Sequence, residues 1–203
     1  MEEKLINKLN QNIPEGATPL EEEEIEELIP GYITTRIELY DAEFKNTLEA
    51  FKKYSNRKFD FTIPNLHKLH KEMFSYVWKW AGRKRTTNKN IGVDKFKIDT
   101  ELKKIIDDYS YWITHKKDPI DISVFLHHRL VKIHPYNNGN GRWARLATNL
   151  ILQKLINKII IWPEDDLFIA TEFRHSYIKS LHEADKGNYE LLKNIHIHHL
   201  QKD

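Results

Sequence analysis

The sequence predicts an all-α domain with one short β-hairpin. Apolar residues recur at helical spacing through most of its 203 residues. Pro, Gly and Asn interrupt them at intervals suited to helix ends. Only residues 83–98 lose the helical period, and there β-branched and aromatic residues surround an Asn-rich turn.

Taken in order, residues 1–17 read as a flexible arm, because Asn10, Asn12, Pro14 and Gly16 break any helix. Residues 18–62 read as N-terminal helices and 63–203 as the core domain. Thr18-Pro19-Leu20-Glu21 predicts a helix start, with Thr18 as N-cap, Pro19 at N1 and Glu21 closing a capping box. The acids from Glu21 to Glu24 suit the first turns and a solvated face. Pro30-Gly31 stops that helix. Thr34 or Thr35 caps the next, which turns Ile37, Tyr40, Phe44, Leu48 and Phe51 inward.

A helix follows Pro64, with Leu66, Leu69, Met73, Val77 and Trp80 on one face and Gly82 at its end. His67 and His70 on it lack a His-Glu-x-x-His pattern and read as structural. Thr86, Thr87, Ile91, Val93, Phe96 and Ile98 suit the two hairpin strands, with Asn88-Lys89-Asn90 as the turn. Arg83, Lys84, Arg85, Lys89, Lys95 and Lys97 oppose only Asp94 there. Such a basic edge either prevents aggregation or accepts a partner as an added strand.

Asp99 caps a helix holding Leu102, Ile105, Ile106, Tyr109 and Trp112. Asp118-Pro119 breaks it, and Phe125, Leu126, Leu130 and Ile133 carry the next helix up to His134. Leu146, Leu150, Leu155 and Ile159 mark another from Arg142. Trp162-Pro163 makes a turn, and two helices fit residues 166–184 and 188–202, with Gly187 between them. His196, His198 and His199 are spaced so that a helix scatters them, which argues against chelation.

Composition excludes whole classes. There is no Cys, so disulfides, thiolate zinc sites and thiol catalysis are out. Net charge is +2, which makes no case for nucleic acid or an anionic membrane. Met1-Glu2-Glu3-Lys4 does not open a secretory leader, and no apolar run reaches membrane-spanning length. A cytoplasmic location is the expectation.

One stretch carries chemistry: His134-Pro135-Tyr136-Asn137-Asn138-Gly139-Asn140-Gly141-Arg142-Trp143-Ala144-Arg145. Its layout is helix, Gly/Asn loop, helix. Pro135 disfavours the α conformation at His134. A Gly-rich loop feeding a helix N-terminus offers backbone N–H groups to an anion. Arg142 and Arg145 lie three apart, on one face of the first turn. An imidazole at one end and two guanidiniums at the other suggest phosphate chemistry with a base. Gly139-x-Gly141-x-x-Ala144 also fits the relaxed dinucleotide fingerprint, but no strand precedes it and no βαβ unit surrounds it.

The stretch resembles the signature of the Fic/Doc family, His-Pro-Phe-x-(Asp/Glu)-Gly-Asn-Gly-Arg-x-x-Arg. His134, Pro135, Gly139, Asn140, Gly141, Arg142 and Arg145 coincide with it. Tyr136 stands for Phe, and Asn138 departs from the usual acid. The hairpin region, Trp80 to Gly92, lies where the family has its flap. Thr34-Thr35-Arg36-Ile37-Glu38 resembles the family's inhibitory motif, with Leu39 departing from its last position. The arrangement is most similar to the subgroup labelled mobile mystery protein B.

The resemblance implies a Fic-type helical domain that moves AMP from ATP to a protein hydroxyl, on a target or on itself. His134 would be the base, with an unperturbed pKa near 6.5. Asn137, Gly139, Asn140, Gly141, Arg142 and Arg145 would hold the nucleotide. Asn138 would sit at the ligand position for Mg²⁺ or Mn²⁺, as a weak ligand without charge. Thr86, Thr87, Ile91 and Gly92 would dock the target segment, and Glu38 would inhibit by pairing with Arg145. Other readings stay open: a different phosphoryl or nucleotidyl transferase, or a nucleotide-binding regulator with little turnover. No membrane partner is expected, and a nucleic acid only as a distant alternative.

Overall fold

The structure, a computed structural model, describes residues 2–55 and 59–202. It holds ten α-helices among those residues: α1 (Glu2–Leu9), α2 (Glu22–Ile25), α3 (Arg36–Ser55), α4 (Ile63–Phe74), α5 (Ile98–Thr114), α6 (Pro119–Ile133), α7 (Asn140–Ile156), α8 (Glu164–Phe168), α9 (Glu172–Asp185) and α10 (Glu190–His198). The predicted all-α class is the observed one. Leu28–Trp78 and Ile160–Leu200 form isolated antiparallel bridges, and the described residues contain no longer ladder. No helix is long and apolar enough to cross a membrane among them.

The core is built around α6 and α7. From Trp143 to Leu152 every residue of α7 is buried, the pattern of a helix enclosed on all sides. It packs on α3, α4 and α6, while α6 also meets α5, α9 and α10. A smaller cluster of Val124, Leu167, Tyr177, Ile178, Leu181 and Leu192 joins α6, α8, α9 and α10.

Local signals set several ends. Asp118 Oδ1 accepts the N–H groups of Ile120 and Asp121, with Pro119 opening α6. Thr62 caps α4 and Thr171 caps α9. Gly187, at φ +88, follows the end of α9 as expected.

Other expectations fail, each for a tertiary reason. Residues 2–9 form a helix rather than a flexible arm, and Leu9 is buried. Thr18 caps nothing. The Asn10 side chain takes both backbone groups of Leu20 (2.8 Å each), and the helix starts at Glu22, where Glu24 accepts the Glu21 N–H. In α3 the buried face is Leu39, Glu43, Asn46 and Ala50, while Ile37 and Leu48 are exposed. Asn46 bridges the Glu72 carbonyl (2.9 Å) and the Tyr76 N–H (3.1 Å), and α4 stops at Phe74 instead of reaching Trp80. Asp99 lies inside the first turn of α5, which starts at Ile98. The helix expected over 166–184 is split between α8 and α9.

The hairpin is absent too. Residues 83–94 form an irregular loop, followed by a 3₁₀ turn at Lys95–Lys97. Side chains take the groups a ladder would pair. Arg85 donates to the Thr87 and Val93 carbonyls, and Asn88 Oδ1 accepts the Lys95 N–H.

Five histidines are buried, and burial keeps four of them, His70, His127, His134 and His196, uncharged. His127 Nδ1 meets His196 Nε2 at 2.9 Å, His127 Nε2 meets the Tyr177 hydroxyl at 3.0 Å, and His196 Nδ1 meets Ser123 at 2.9 Å. Burial pushes His70 and His196 down to about 3, His134 to about 4, and His127 well below its ordinary value. Below an unfolded pKa near 6.5 the unfolded chain binds these protons and the native one does not. Stability is therefore lost as pH falls, by about 1.4 kcal/mol per unit per group until the folded pKa is reached. The melting temperature should drop steeply between about pH 7 and pH 4.5. A flat profile over that window would contradict four neutral buried imidazoles.

Candidate active site

The site grows from the junction of α6 and α7. His134 ends α6 in the left-handed region, at φ 50 and ψ 60. Pro135 closes the right-handed region to it, and the chain takes this turn rather than an extended one. Such strain persists only where surroundings over-determine it. Here Arg85 Nε donates to the His134 carbonyl (2.7 Å), and the Arg85 N–H donates to the Pro135 carbonyl (2.9 Å). Gly92 lies against His134 so closely that a Cβ on it would meet His134 Cβ at 2.6 Å.

The loop beyond is shaped by side chains. Asn140 accepts the Tyr136 N–H (2.9 Å) and donates to its carbonyl (2.8 Å). His70 Nε2 donates to the Asn138 carbonyl (3.1 Å), while its Nδ1 accepts the Gly82 N–H (2.9 Å). Only the neutral ring can do both. The Tyr136 hydroxyl and Trp143 Nε1 both donate to the Leu66 carbonyl. Gly139 sits at φ +76 with Phe74 against it, where a Cβ would come within 2.5 Å of the ring.

This shaping leaves the first turn of α7 open. The N–H groups of Asn140, Gly141 and Arg142 have no intrahelical acceptor, and the helix dipole adds positive charge there. Arg142 is held by Glu43 (2.7 Å), whose other oxygen accepts from Trp78 Nε1 (2.6 Å). Its guanidinium lies 5.0 Å over the Phe74 ring, and Arg142 Nη1 is buried without a hydrogen-bond partner. Arg145 grips Glu164 through Nε (2.9 Å) and Nη2. Burial opposes the charge of Arg145, but Glu164 and Tyr177 outweigh it and hold the proton firmly.

A cavity of about 470 Å³ runs along this array. That is the size of a small-molecule site. His134, Asn138, Gly139, Asn140, Arg142 and Arg145 line it, with Thr18 at the His134 end. His134 Nε2 faces Thr18 Oγ1 at 3.2 Å. Burial, then the nearby Arg85 charge, lowers its pKa to about 4, so the imidazole is neutral at pH 7.

Most of the expected site residues meet here, with corrections. Asn137 does not line the cavity; the turn carries Asn138 to it instead. The Asn140 side chain is spent on Tyr136, so its amide shapes the loop and only its N–H faces an anion. Ile91 and Gly92 reach the cavity, whereas Thr86 and Thr87 are exposed beyond it. Glu38 is not at the site. Its carboxylate accepts the Thr34 and Thr35 N–H groups (2.8 and 2.9 Å), and its own N–H meets Thr35 Oγ1, which is a capping box. Arg145 pairs with Glu164, not with Glu38.

Asn138 does not make a metal site. Its Oδ1 accepts the Gly139 N–H (2.7 Å), and its Nδ2 donates to the Thr18 carbonyl (3.3 Å). The described residues contain no group of three His, Asp or Glu side chains arranged for a cation. The residues present do not fit a resident Mg²⁺ or Mn²⁺.

Four residues were missed. Thr18 read as a cap, and Arg85 as one of a basic run. Glu43 and Glu164 carried no signal, because partners 99 and 19 residues away define them.

The model of the Fic/DOC family matches residues 60–152, from α4 through most of α7. Those residues are similar to a Fic/DOC family domain. Protein adenylyltransferase fic-1 of Caenorhabditis elegans is 37% identical over 112 residues, covering 53% of this chain and 21% of that protein. Protein adenylyltransferase Fic of Nematostella vectensis is 29% identical over 133 residues, covering 63% of this chain and 29% of that protein. The chain thus spans under a third of either relative. The BepC protein of Bartonella tribocorum, solved with bound AMPPNP, shares the fold at a TM-score of 0.66 and 18% identity. That likeness covers 89% of this chain and 98% of the other.

Two substitutions check this geometry. Gly139→Ala forces a positive φ on Ala and a clash with Phe74, and should destabilise by more than about 1 kcal/mol; denaturant unfolding reads it. Glu38→Gly removes only the cap of α3. It should lower the melting temperature slightly and leave ATP binding unchanged by calorimetry, whereas an inhibitory glutamate would have opposed the triphosphate.

Proposed function

We propose that this chain is a protein adenylyltransferase, moving AMP from ATP to the hydroxyl of a protein. The observation that carries the reading is one cavity with a neutral imidazole at one end, an open helix N-terminus at its middle and two arginines beyond. The order is the one the transfer needs. The α-phosphate sits on the N–H groups of α7's first turn. Arg142 and Arg145 draw charge toward the β- and γ-phosphates. A hydroxyl beside His134 Nε2 gives up its proton as its oxygen attacks phosphorus, and pyrophosphate leaves. The adenylyltransferase names of the relatives point the same way. The exposed loop at Thr86 and Thr87, running into Ile91 and Gly92 beside His134, is where a target segment would lie.

A second reading, a nucleotide-binding regulator with little turnover, has its own observation. Both arginines are already engaged by carboxylates, and Thr18 stands on the base. Incubation with ATP labelled at the α- or the γ-phosphate separates the readings. Transfer should retain the α label, whereas γ label alone would mean a kinase and none a regulator. His134→Ala should lower transfer about 10²–10⁴-fold while calorimetric ATP binding stays nearly intact. Wild-type transfer by that variant would remove His134 from the mechanism.

A further inference from the structure

We propose that Thr18 is an acceptor for this chain's own AMP transfer, a modification site on the segment that crosses the cavity. The inference rests on the adenylyl-transfer reading above. Thr18 Oγ1 lies 3.2 Å from His134 Nε2, within hydrogen-bond reach of the group that would deprotonate it. The same residue lines the cavity alongside Gly139, Asn140 and Gly141 at the start of α7. A hydroxyl is therefore already present beside the base, in the cavity that the first turn of α7 also lines.

The segment is held there, not merely passing by. The Thr18 carbonyl accepts from Asn138 Nδ2 (3.3 Å), and the Ala17 carbonyl accepts from Asn90 Nδ2 (3.5 Å). On one side, Asn10 clips Leu20, and buried Lys89 binds Glu21 (2.8 Å) and Glu24 (2.7 Å). On the other, Gly16 lies against Ile178, while Glu15 meets His175 through its carboxylate and Arg174 through its carbonyl. A substrate group positioned this way replaces a bimolecular encounter by an intramolecular one. Side-chain amides from Asn138 and Asn90 hold the backbone, which leaves the Thr18 hydroxyl directed at His134.

The step balances with ATP as the co-reactant. The Thr18 Oγ–H proton passes to His134 Nε2. Oγ forms a bond to the α-phosphorus, the bond from that phosphorus to the bridging oxygen breaks, and pyrophosphate departs with the electron pair. The products are a phosphodiester of AMP on Thr18 and pyrophosphate, with no net oxidation. Thr18 is half-buried, and the cavity opens beside it.

The test uses the full chain with α-labelled ATP, peptide mapping by mass spectrometry, and a lysate arm. The expected result is an AMP adduct on Thr18, formed with a half-time independent of protein concentration. Thr18→Ser should keep the adduct at that position, Thr18→Val should lose it, and His134→Ala should lose it while still binding ATP. Circular dichroism keeps an unfolded variant from counting as support. Transfer to lysate proteins that requires His134, with Thr18 never labelled, would overturn this inference and leave the proposed activity standing. A half-time that shortens with protein concentration would also overturn it, since the acceptor would then belong to another molecule. No transfer to any protein would remove both.

Discussion

The site depends on one closure: the Asn140 side chain spanning the Tyr136 backbone. Those two hydrogen bonds are buried, so losing them would strand two backbone polar groups away from water. They tie the first residue of α7 to the loop that leaves α6. With the loop closed, Gly139 fits against Phe74, Asn138 turns its carbonyl to His70, and α7's first N–H groups face the cavity. The imidazole and the helix N-terminus are thereby set at a fixed separation. Without the closure, the loop would be an ordinary flexible link between two helices.

Charges around the cavity are positioned by burial and by one another. Glu43 joins α3 to α7 by gripping Arg142 while it also accepts from Trp78. Glu164, at the start of α8, engages the fork of Arg145. A bidentate pair of this kind is directional as well as strong. Each guanidinium therefore reaches the cavity already oriented. His134 is tuned the opposite way, since burial and the Arg85 charge keep it neutral across the physiological range.

Much of the site was legible because its chemistry is local. His134, Gly139, Gly141, Arg142 and Arg145 lie within twelve consecutive residues, and a helix–loop–helix with that spacing brings them together in almost any tertiary setting. Glu38 shows how a local pattern misleads. Its acid matched the spacing of the family's inhibitory motif, but the same residues also spell Thr35-x-x-Glu38, and the carboxylate is used in the cap. The α3 face failed for the reverse reason. Ile37 and Leu48 fit an apolar stripe, yet the core there needed Glu43 for Arg142 and Asn46 for the end of α4, and the helix turned its polar residues inward.

What the sequence determined by itself is the helical class, the Thr35 cap, the Gly187 stop, an apolar helix through Leu146 and Leu150, and the residues of the Gly/Asn loop. All of these are set by neighbours within a turn or two, through hydrogen bonds and periodic burial. Only the tertiary structure decided that Thr18 leaves its capping role to meet His134, that Arg85 locks the left-handed turn, and that residues 83–94 form a loop instead of a hairpin. In the first two a group from a distant segment takes a polar or backbone group, and in the loop the Arg85 and Asn88 side chains take the groups a ladder would have paired. Such competition is settled by which groups burial brings within reach, and that is a property of the packed chain, not of any short stretch of it.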